Sequence, residues 1–300
     1  MGVSVTTGKG GDDDGEPGEG DEVFGDVEFI VGSPADDYLE GHDGPTEIYA
    51  LEGADVLIGN GGDDRLFAGP GADSLVGCAG DDELFGEGGD DALLDALEGT
   101  CEEGGEDTLH GGPGNDLLDP GRGDDVIDGG EGVNTLSYAN RTEVEPIRVT
   151  LKDRTVIGGA TGSSYGRERD EISNVDNVTG GAGRDRIRSV RSVRAILVGG
   201  GGDDRLYAPK VGGSLWGGPG DDKLVTRGGS NYLNGEEGDD KLIARRGTSW
   251  AFGGDGDDYI LTVTGESDVL ACGAGDRDRA TVDLADTVIV PGDCERLRAR

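Results

Sequence analysis

GNGGDDRLF, AGPGADSLV, GCAGDDELF and GEGGDDALL, residues 59 to 94, are four renderings of one nine-residue phrase. Glycine holds the fourth place (Gly62, Gly71, Gly80, Gly89) and aspartate the sixth (Asp64, Asp73, Asp82, Asp91). A leucine holds the eighth (Leu66, Leu75, Leu84, Leu93). Extending the count backwards adds Leu39, Ile48 and Leu57 without a break in the nine-residue spacing. Side chains alternate along a strand, so an aliphatic residue flanked by polar ones points inward while its neighbours point out. Glycine-rich loops visit backbone conformations that other residues avoid, and they let backbones approach closely.

The chain carries 64 acidic and 26 basic residues, for a net charge of −38. Glycine accounts for 61 of 300 residues, and only 33% are hydrophobic. Such numbers alone would suggest disorder, because self-repulsion opposes compaction and glycine loses much entropy on ordering. Strict phase argues the other way: a disordered acidic tail has no reason to keep a register of nine. The charge also disfavours nucleic acid as a partner. No run of eighteen apolar residues exists, so no transmembrane helix is expected. The first twenty residues contain no apolar core of a secretory signal. That start and the abrupt lead-in suggest a processed or partial chain.

The phrase is similar to G-G-x-G-x-D-x-U-x, the calcium-binding nonapeptide of RTX (hemolysin-type) proteins. The resemblance covers residues 32–137 and 180–261. It implies an all-β parallel β-roll in which two nonapeptides complete one turn. The GGxGxD part makes a loop and the x-U-x part a short strand. Calcium takes six to eight oxygens, which carboxylates and backbone carbonyls supply together. Several Ca²⁺ ions are therefore expected as cofactors. The expected carboxylate ligands in the first run are Asp37, Asp55, Asp64, Asp73, Asp82, Asp91, Asp107, Asp116 and Asp125, with Asn134 ending it. The second run offers Asp185, Asp204, Asp222, Asp240 and Asp258. Loop glycines assigned to the sites are Gly59, Gly61, Gly77, Gly111, Gly112, Gly114, Gly199, Gly217, Gly218, Gly235, Gly253 and Gly254. Fifth-place Asp63, Asp81, Asp90, Asp124, Asp203, Asp221, Asp239 and Asp257 fit ligation and solvated turns equally well.

The second run has its own rhythm. Good copies begin at Gly199, Gly217, Gly235 and Gly253, eighteen apart, with APKVGGSLW, TRGGSNYLN and ARRGTSWAF between them. Two copies make a turn, so the good ones fall on one edge and the other edge is nearly free of calcium. The first run has good copies on both edges. Arg191, Arg194, Lys210, Arg227, Arg245 and Arg246 lie in or near the poor loops. Two readings of this basic stripe stand: local neutralisation of leftover carboxylates, or a docking face for an acidic polysaccharide. Trp216 and Trp250 of the poor copies could stack on sugars, though covering a flank is the plainer role.

Five segments are expected: an irregular lead-in (1–31), a first β-roll (32–137), an irregular insert (138–179), a second roll (180–269) and a C-terminal cap (270–300). Within the insert, Ile147 to Leu151 alternates as a strand does. The phrase around Asp170, Val175, Val178 and Asp185 matches that around Asp21, Val27, Ile30 and Asp37, as if a lead-in and a roll occurred twice.

Four cysteines form two local groups. Cys78 sits in a repeat loop, and DALEGTC (residues 95–101) delays the next loop, so Cys78 and Cys101 pair if the insertion loops out and the stack resumes. Cys272 and Cys294 flank a tail that resembles the C-terminal ends of secreted actinobacterial RTX-type proteins, and they pair within a cap. No C-x-x-C spacing favours zinc. His42 and His110 lie in polar surroundings, and no HExxH, GxSxG or P-loop occurs. The chain reads as a non-enzymatic, secreted calcium-binding protein. A calcium-stabilised adhesion or matrix module, and a folding appendage of an absent catalytic domain, stand as alternatives.

Overall fold

The computed structural model describes residues 4–6, 28–96, 104–142, 145–151, 156–158, 168–191, 193–289 and 294–299. Every regular element among them is a β-strand. The chain divides into two compact units, Met1–Ser137 with Glu168–Val175, and Tyr138–Arg167 with Asp176–Arg300.

In the first unit successive strands alternate between two parallel sheets. Tyr38–Glu40, Val56–Gly61, Ser74–Ala79, Ala92–Leu94, Leu117–Asp119 and Thr135–Ser137 lie side by side in one. Glu47–Tyr49, Arg65–Pro70, Glu83–Gly88, Thr108–His110 and Val126–Asp128 lie side by side in the other. Leu57 pairs with Leu75 and Leu75 with Leu93, while Leu66 pairs with Leu84. One turn is therefore eighteen residues, two nonapeptides. The eighth-place residues Leu39, Ile48, Leu57, Leu66, Leu75 and Leu93 are fully buried, forming two facing columns. Each turn adds one aliphatic pair to a narrow core, worth roughly 2–3 kcal/mol per fully buried side chain.

After Leu94 the register resumes with Leu84 opposite Leu109 and Leu93 opposite Leu118, so the extra seven residues leave the stack intact. An outer ladder of rings follows the second sheet. Tyr49 stacks on Phe67 at 4.6 Å, Phe67 on Phe85 at 4.7 Å, and Phe85 on His110 at 5.0 Å. The spacing equals the distance between neighbouring strands, about 4.8 Å, so side chains at equivalent places necessarily stack.

The second unit repeats the arrangement. Ala195–Val198, Gly212–Pro219, Ser230–Glu237, Ser249–Asp255 and Val269–Ala274 form one face. Arg186–Ser189, Arg205–Tyr207, Lys223–Thr226, Lys241–Ala244, Tyr259–Thr262, Arg279–Val282 and Arg296–Ala299 form the other. The alternating segment expected near Ile147 is the strand Arg148–Leu151, which pairs in parallel with Arg186–Ser189. The C-terminal segment continues the stack, with Ile260 opposite Ala280 and Ala280 opposite Leu297. Cys272 and Cys294 are joined there with Cα atoms 5.4 Å apart. Cys78 is buried in Ser74–Ala79 and is disulfide-bonded, while its expected partner Cys101 lies outside the described residues.

Candidate metal centre

The sixth-place aspartates stack into ladders. In the first unit, the Asp64 amide donates to Asp82 Oδ1 at 2.8 Å, Asp82 to Asp107 at 2.8 Å, and Asp107 to Asp125 at 2.9 Å. On the opposite edge Asp37 donates to Asp55, Asp55 to Asp73, Asp73 to Asp91, and Asp91 to Asp116, at 2.7 to 3.0 Å. Asn134 Oδ1 continues this second ladder beyond Asp116. The second unit has one long ladder, through Asp185, Asp204, Asp222, Asp240 and Asp258. It extends to Asp278 at 2.6 Å. Its other edge carries Asn231 and Ser249, whose side chains bond each other at 3.3 Å.

Each ladder bond uses only one carboxylate oxygen. The other, Oδ2, is buried with no hydrogen-bond partner in Asp55, Asp64, Asp73, Asp82, Asp91, Asp107, Asp116, Asp125, Asp204, Asp222, Asp240, Asp258 and Asp278. A buried carboxylate oxygen without a donor is costly, and its repetition at one motif position marks a place suited to a cation. Asp37 and Asp185, each the first aspartate of its run, differ. Their Oδ2 atoms accept the amides of Ser33 and Gly181.

Burial raises these carboxyls, and neighbouring aspartates add to it. Asp64 is pushed up to about 8 by desolvation, with Asp82 and Asp63 contributing. Asp204 and Asp240 are likewise raised to about 8, and Asp222 and Asp258 to about 7. A divalent cation at Oδ2 would replace the proton that such a group otherwise retains.

The glycines divide the labour of the loop. At the first place, a side chain on Gly59, Gly77, Gly111, Gly199, Gly217, Gly235 or Gly253 would meet Oδ2 of the aspartate five residues later. Ala50 and Ala68 hold that place in two repeats, so the crowding restricts it to small residues. At the second place Gly112, Gly218 and Gly254 have φ of 102°, 105° and 120°. Gly114 occupies a fourth place, where an added Cβ would run into the Gly89 carbonyl. Gly61 is a third-place residue in ordinary contact with the Asp43 backbone.

The fifth-place aspartates form a separate, exposed rail of opposite polarity. Asp81, Asp221, Asp239 and Asp257 donate their amides back to the carboxylate one turn earlier, at 2.9 to 3.2 Å. Among the described residues, no three His, Cys, Asp or Glu side chains converge as a metal cage of side chains alone. The donor set fits an oxygen-loving cation held by one or two carboxylates with backbone carbonyls, and the ladders bring it no thiolate or imidazole of the kind zinc favours.

The family model of the RTX calcium-binding nonapeptide repeat matches residues 43–75, 67–94, 103–136, 173–189, 196–208, 216–251 and 235–266. These segments cover more than half of the chain. It belongs to the RTX calcium-binding repeat proteins. Calcium is thus the cation of these RTX repeats, and the glycine-aspartate loops are its motif. A comparison with curated proteins found no match.

Sequence reasoning missed three carboxylates of the same kind. Asp278 continues the long ladder, but an extra residue within CGAGDRDRA breaks the count of nine. Asp268 receives the Ser249 amide at 2.6 Å and is raised to about 6 by burial. Its loop, VTGESD, keeps only one glycine. Asp95 has a buried Oδ1 without a hydrogen bond, just beyond the last leucine of the quoted stretch. A search for aspartate two residues before any buried aliphatic would have found the first two.

Proposed function

We propose that this RTX chain is an extracellular, non-enzymatic protein whose repeats fold around several Ca²⁺ ions. The observation that carries the reading is the series of buried, partnerless Oδ2 atoms at the sixth place of the repeats. The residues that would hold calcium are Asp55, Asp64, Asp73, Asp82, Asp91, Asp107, Asp116 and Asp125 in the first unit, and Asp204, Asp222, Asp240, Asp258 and Asp278 in the second. Asp37 and Asp185 would close their ends. Bound calcium supplies the positive charge that a −38 chain needs to compact. Its binding energy becomes folding energy. The Cys272–Cys294 bond supports an oxidising compartment. No helix among the described residues is long and apolar enough to cross a membrane.

Circular dichroism during a calcium titration tests this, with magnesium as control. Parallel β-structure should appear cooperatively at about 10⁻⁴–10⁻³ M calcium, the range of extracellular modules. Magnesium at the same concentration should not substitute, because it demands a small octahedron and dehydrates reluctantly. Full β-structure in excess EDTA at pH 8 would sink the proposal.

A further inference from the structure

The geometry points to the calcium-poor edge of the second unit as a binding groove for an acidic polysaccharide. The two edges of this unit differ in charge as well as in metal motif. Four successive segments of the poor edge read RSVRSVR (188–194), APKVGG (208–213), TRGGSN (226–231) and ARRGTS (244–249), before the edge turns acidic at Glu266, Asp268, Asp283 and Asp286. None of these four segments contains an aspartate or glutamate, in a chain with 64 of them. Leu206 pairs with Leu224 and Leu224 with Leu242, so each turn carries a cation three or four places after its buried leucine: Lys210, then Arg227, then Arg245 with Arg246. Ile187 pairs with Leu206, which places Arg191 one turn before Lys210 at the equivalent position. At about 4.8 Å per turn the row extends over roughly 14 Å.

Beyond Arg191 at its head, the cations of the row are not neutralised from within. Elsewhere in the unit, arginines that face carboxylates pair with them, as Arg184 does with Asp203 and Arg277 with Asp257. On the poor edge Arg191 pairs with Asp176 at 2.7 Å. Arg188, Lys210, Arg227, Arg245 and Arg246 have no carboxylate within ion-pair distance among the described residues. Local charge balance therefore does not account for the row. Like charges stacked turn upon turn repel one another, a cost that an external polyanion relieves.

The row borders a formed concavity. Arg188, Arg191, Tyr207, Pro209, Lys210 and Arg227 line a groove of roughly 590 Å³. Tyr207 is half-buried, with the Arg186 guanidinium over its ring at 5.6 Å, and adds an amphipathic edge to the groove beside the cations. Guanidinium forks match carboxylate and sulfate oxygens in pairs. One turn of the solenoid is comparable in length to one pyranose with its linkage, so a linear chain of charged sugars could meet one cation per residue. Double-stranded nucleic acid fits less well, because the rest of the chain would repel its phosphates.

The test uses the full chain at saturating calcium, with circular dichroism on the same samples. A sample that fails to fold there counts against the calcium reading, not against the groove. Heparin and polygalacturonate are the sulfated and uronic probes, with dextran and a DNA duplex as comparisons, followed by calorimetry at two salt concentrations. At least one acidic glycan should bind, more weakly at higher salt. The pair Lys210→Glu/Arg227→Glu should lose affinity at least tenfold with an unchanged calcium midpoint. Arg296→Glu/Arg298→Glu, exposed cations elsewhere with the same charge change, should not. No binding of either acidic glycan would overturn the assignment. So would equal losses in both pairs, retained binding in the first pair, or DNA binding as tight as glycan binding.

Discussion

The amide of Asp222 donates to Asp240 Oδ1, eighteen residues ahead, at 2.8 Å, while Asp240 Oδ2 stays buried and partnerless. The two oxygens of one carboxylate thus do different jobs. One locks the next loop to the previous one, and the other is left for a cation. Removing the side chain breaks both. Asp222→Ala and Asp240→Ala should each raise the calcium midpoint of folding several-fold. Asn231, on the opposite edge, donates Nδ2 to Gly229 O and Ser249 Oγ, and its buried, partnerless Oδ1 is a neutral amide oxygen rather than a carboxylate. Asn231→Ala should cost about 1–2 kcal/mol of stability with a much smaller change in midpoint. Equal midpoint shifts for all three in calcium titrations would refute the edge assignment.

The raised carboxyls set a pH dependence with a defined sign. In the unfolded chain an aspartate titrates near 3.9. In the folded metal-free chain Asp222 and Asp258 hold their protons up to about 7, and Asp64, Asp204 and Asp240 up to about 8. The folded state therefore binds more protons across pH 4 to 8, and metal-free stability falls as pH rises through that window. Without calcium the β-structure should be strongest near pH 4–5 and lost toward pH 8. Calcium should make folding nearly independent of pH between 7 and 8, and should release protons where it binds a chain already folded near pH 5. Calorimetry in buffers of different ionisation enthalpy reads that release. Uptake of protons, or a metal-free chain more folded at pH 8 than at pH 5, would contradict the buried-carboxylate account.

The sequence made the solenoid legible because its period is set by stacking. Every eighth-place aliphatic from Leu39 to Leu93 had to be buried once two repeats made a turn, and each is. The ladder aspartates were legible for the same reason. Asp278 and Asp268 were not, since a single extra residue in a loop shifts the count without shifting the strand register. The partnerless cations were only half visible. Arg227 and Lys210 could be placed on one edge by counting, but whether carboxylates faced them depended on side-chain placement that no count supplies. The different reasons for the loop glycines were also hidden. Crowding at Gly217 and left-handed backbone at Gly218 are both written with the same letter.

Second-place residues show where the loop stores strain. Glu87 has φ of 66° and Cys78 of 79°, in the left-handed region. Such a conformation costs a residue with a Cβ on the order of 1 kcal/mol. Glu87 is exposed. Glu87→Gly should therefore stabilise the first unit by up to about 1 kcal/mol, less the extra chain entropy glycine has when unfolded. Chemical denaturation at fixed calcium measures it, and a loss of stability would mean that the glutamate side chain does something the loop needs.

Glycine at the fourth place should be the least replaceable residue of the repeat. Gly220 has φ of 138°, and a Cβ there would run into the Gly202 carbonyl of the turn before. Backbone cannot step aside without opening the stack, because Gly220 N–H also donates to Glu237 O at 2.7 Å. Gly201, a third-place residue, has no such restraint: its added Cβ would sit 3.6 Å from Ala182 Cα, an ordinary contact. Gly220→Ala should cost several kcal/mol, combining strain at positive φ with displaced backbone, and raise the calcium midpoint sharply. Gly201→Ala should stay within about 0.5 kcal/mol of the parent. The pair separates geometry from composition, since both substitutions make the same chemical change in neighbouring loops of one edge. Equal tolerance of the two would mean that the loop re-forms without the left-handed step, and that the fourth-place glycine is kept for some other purpose.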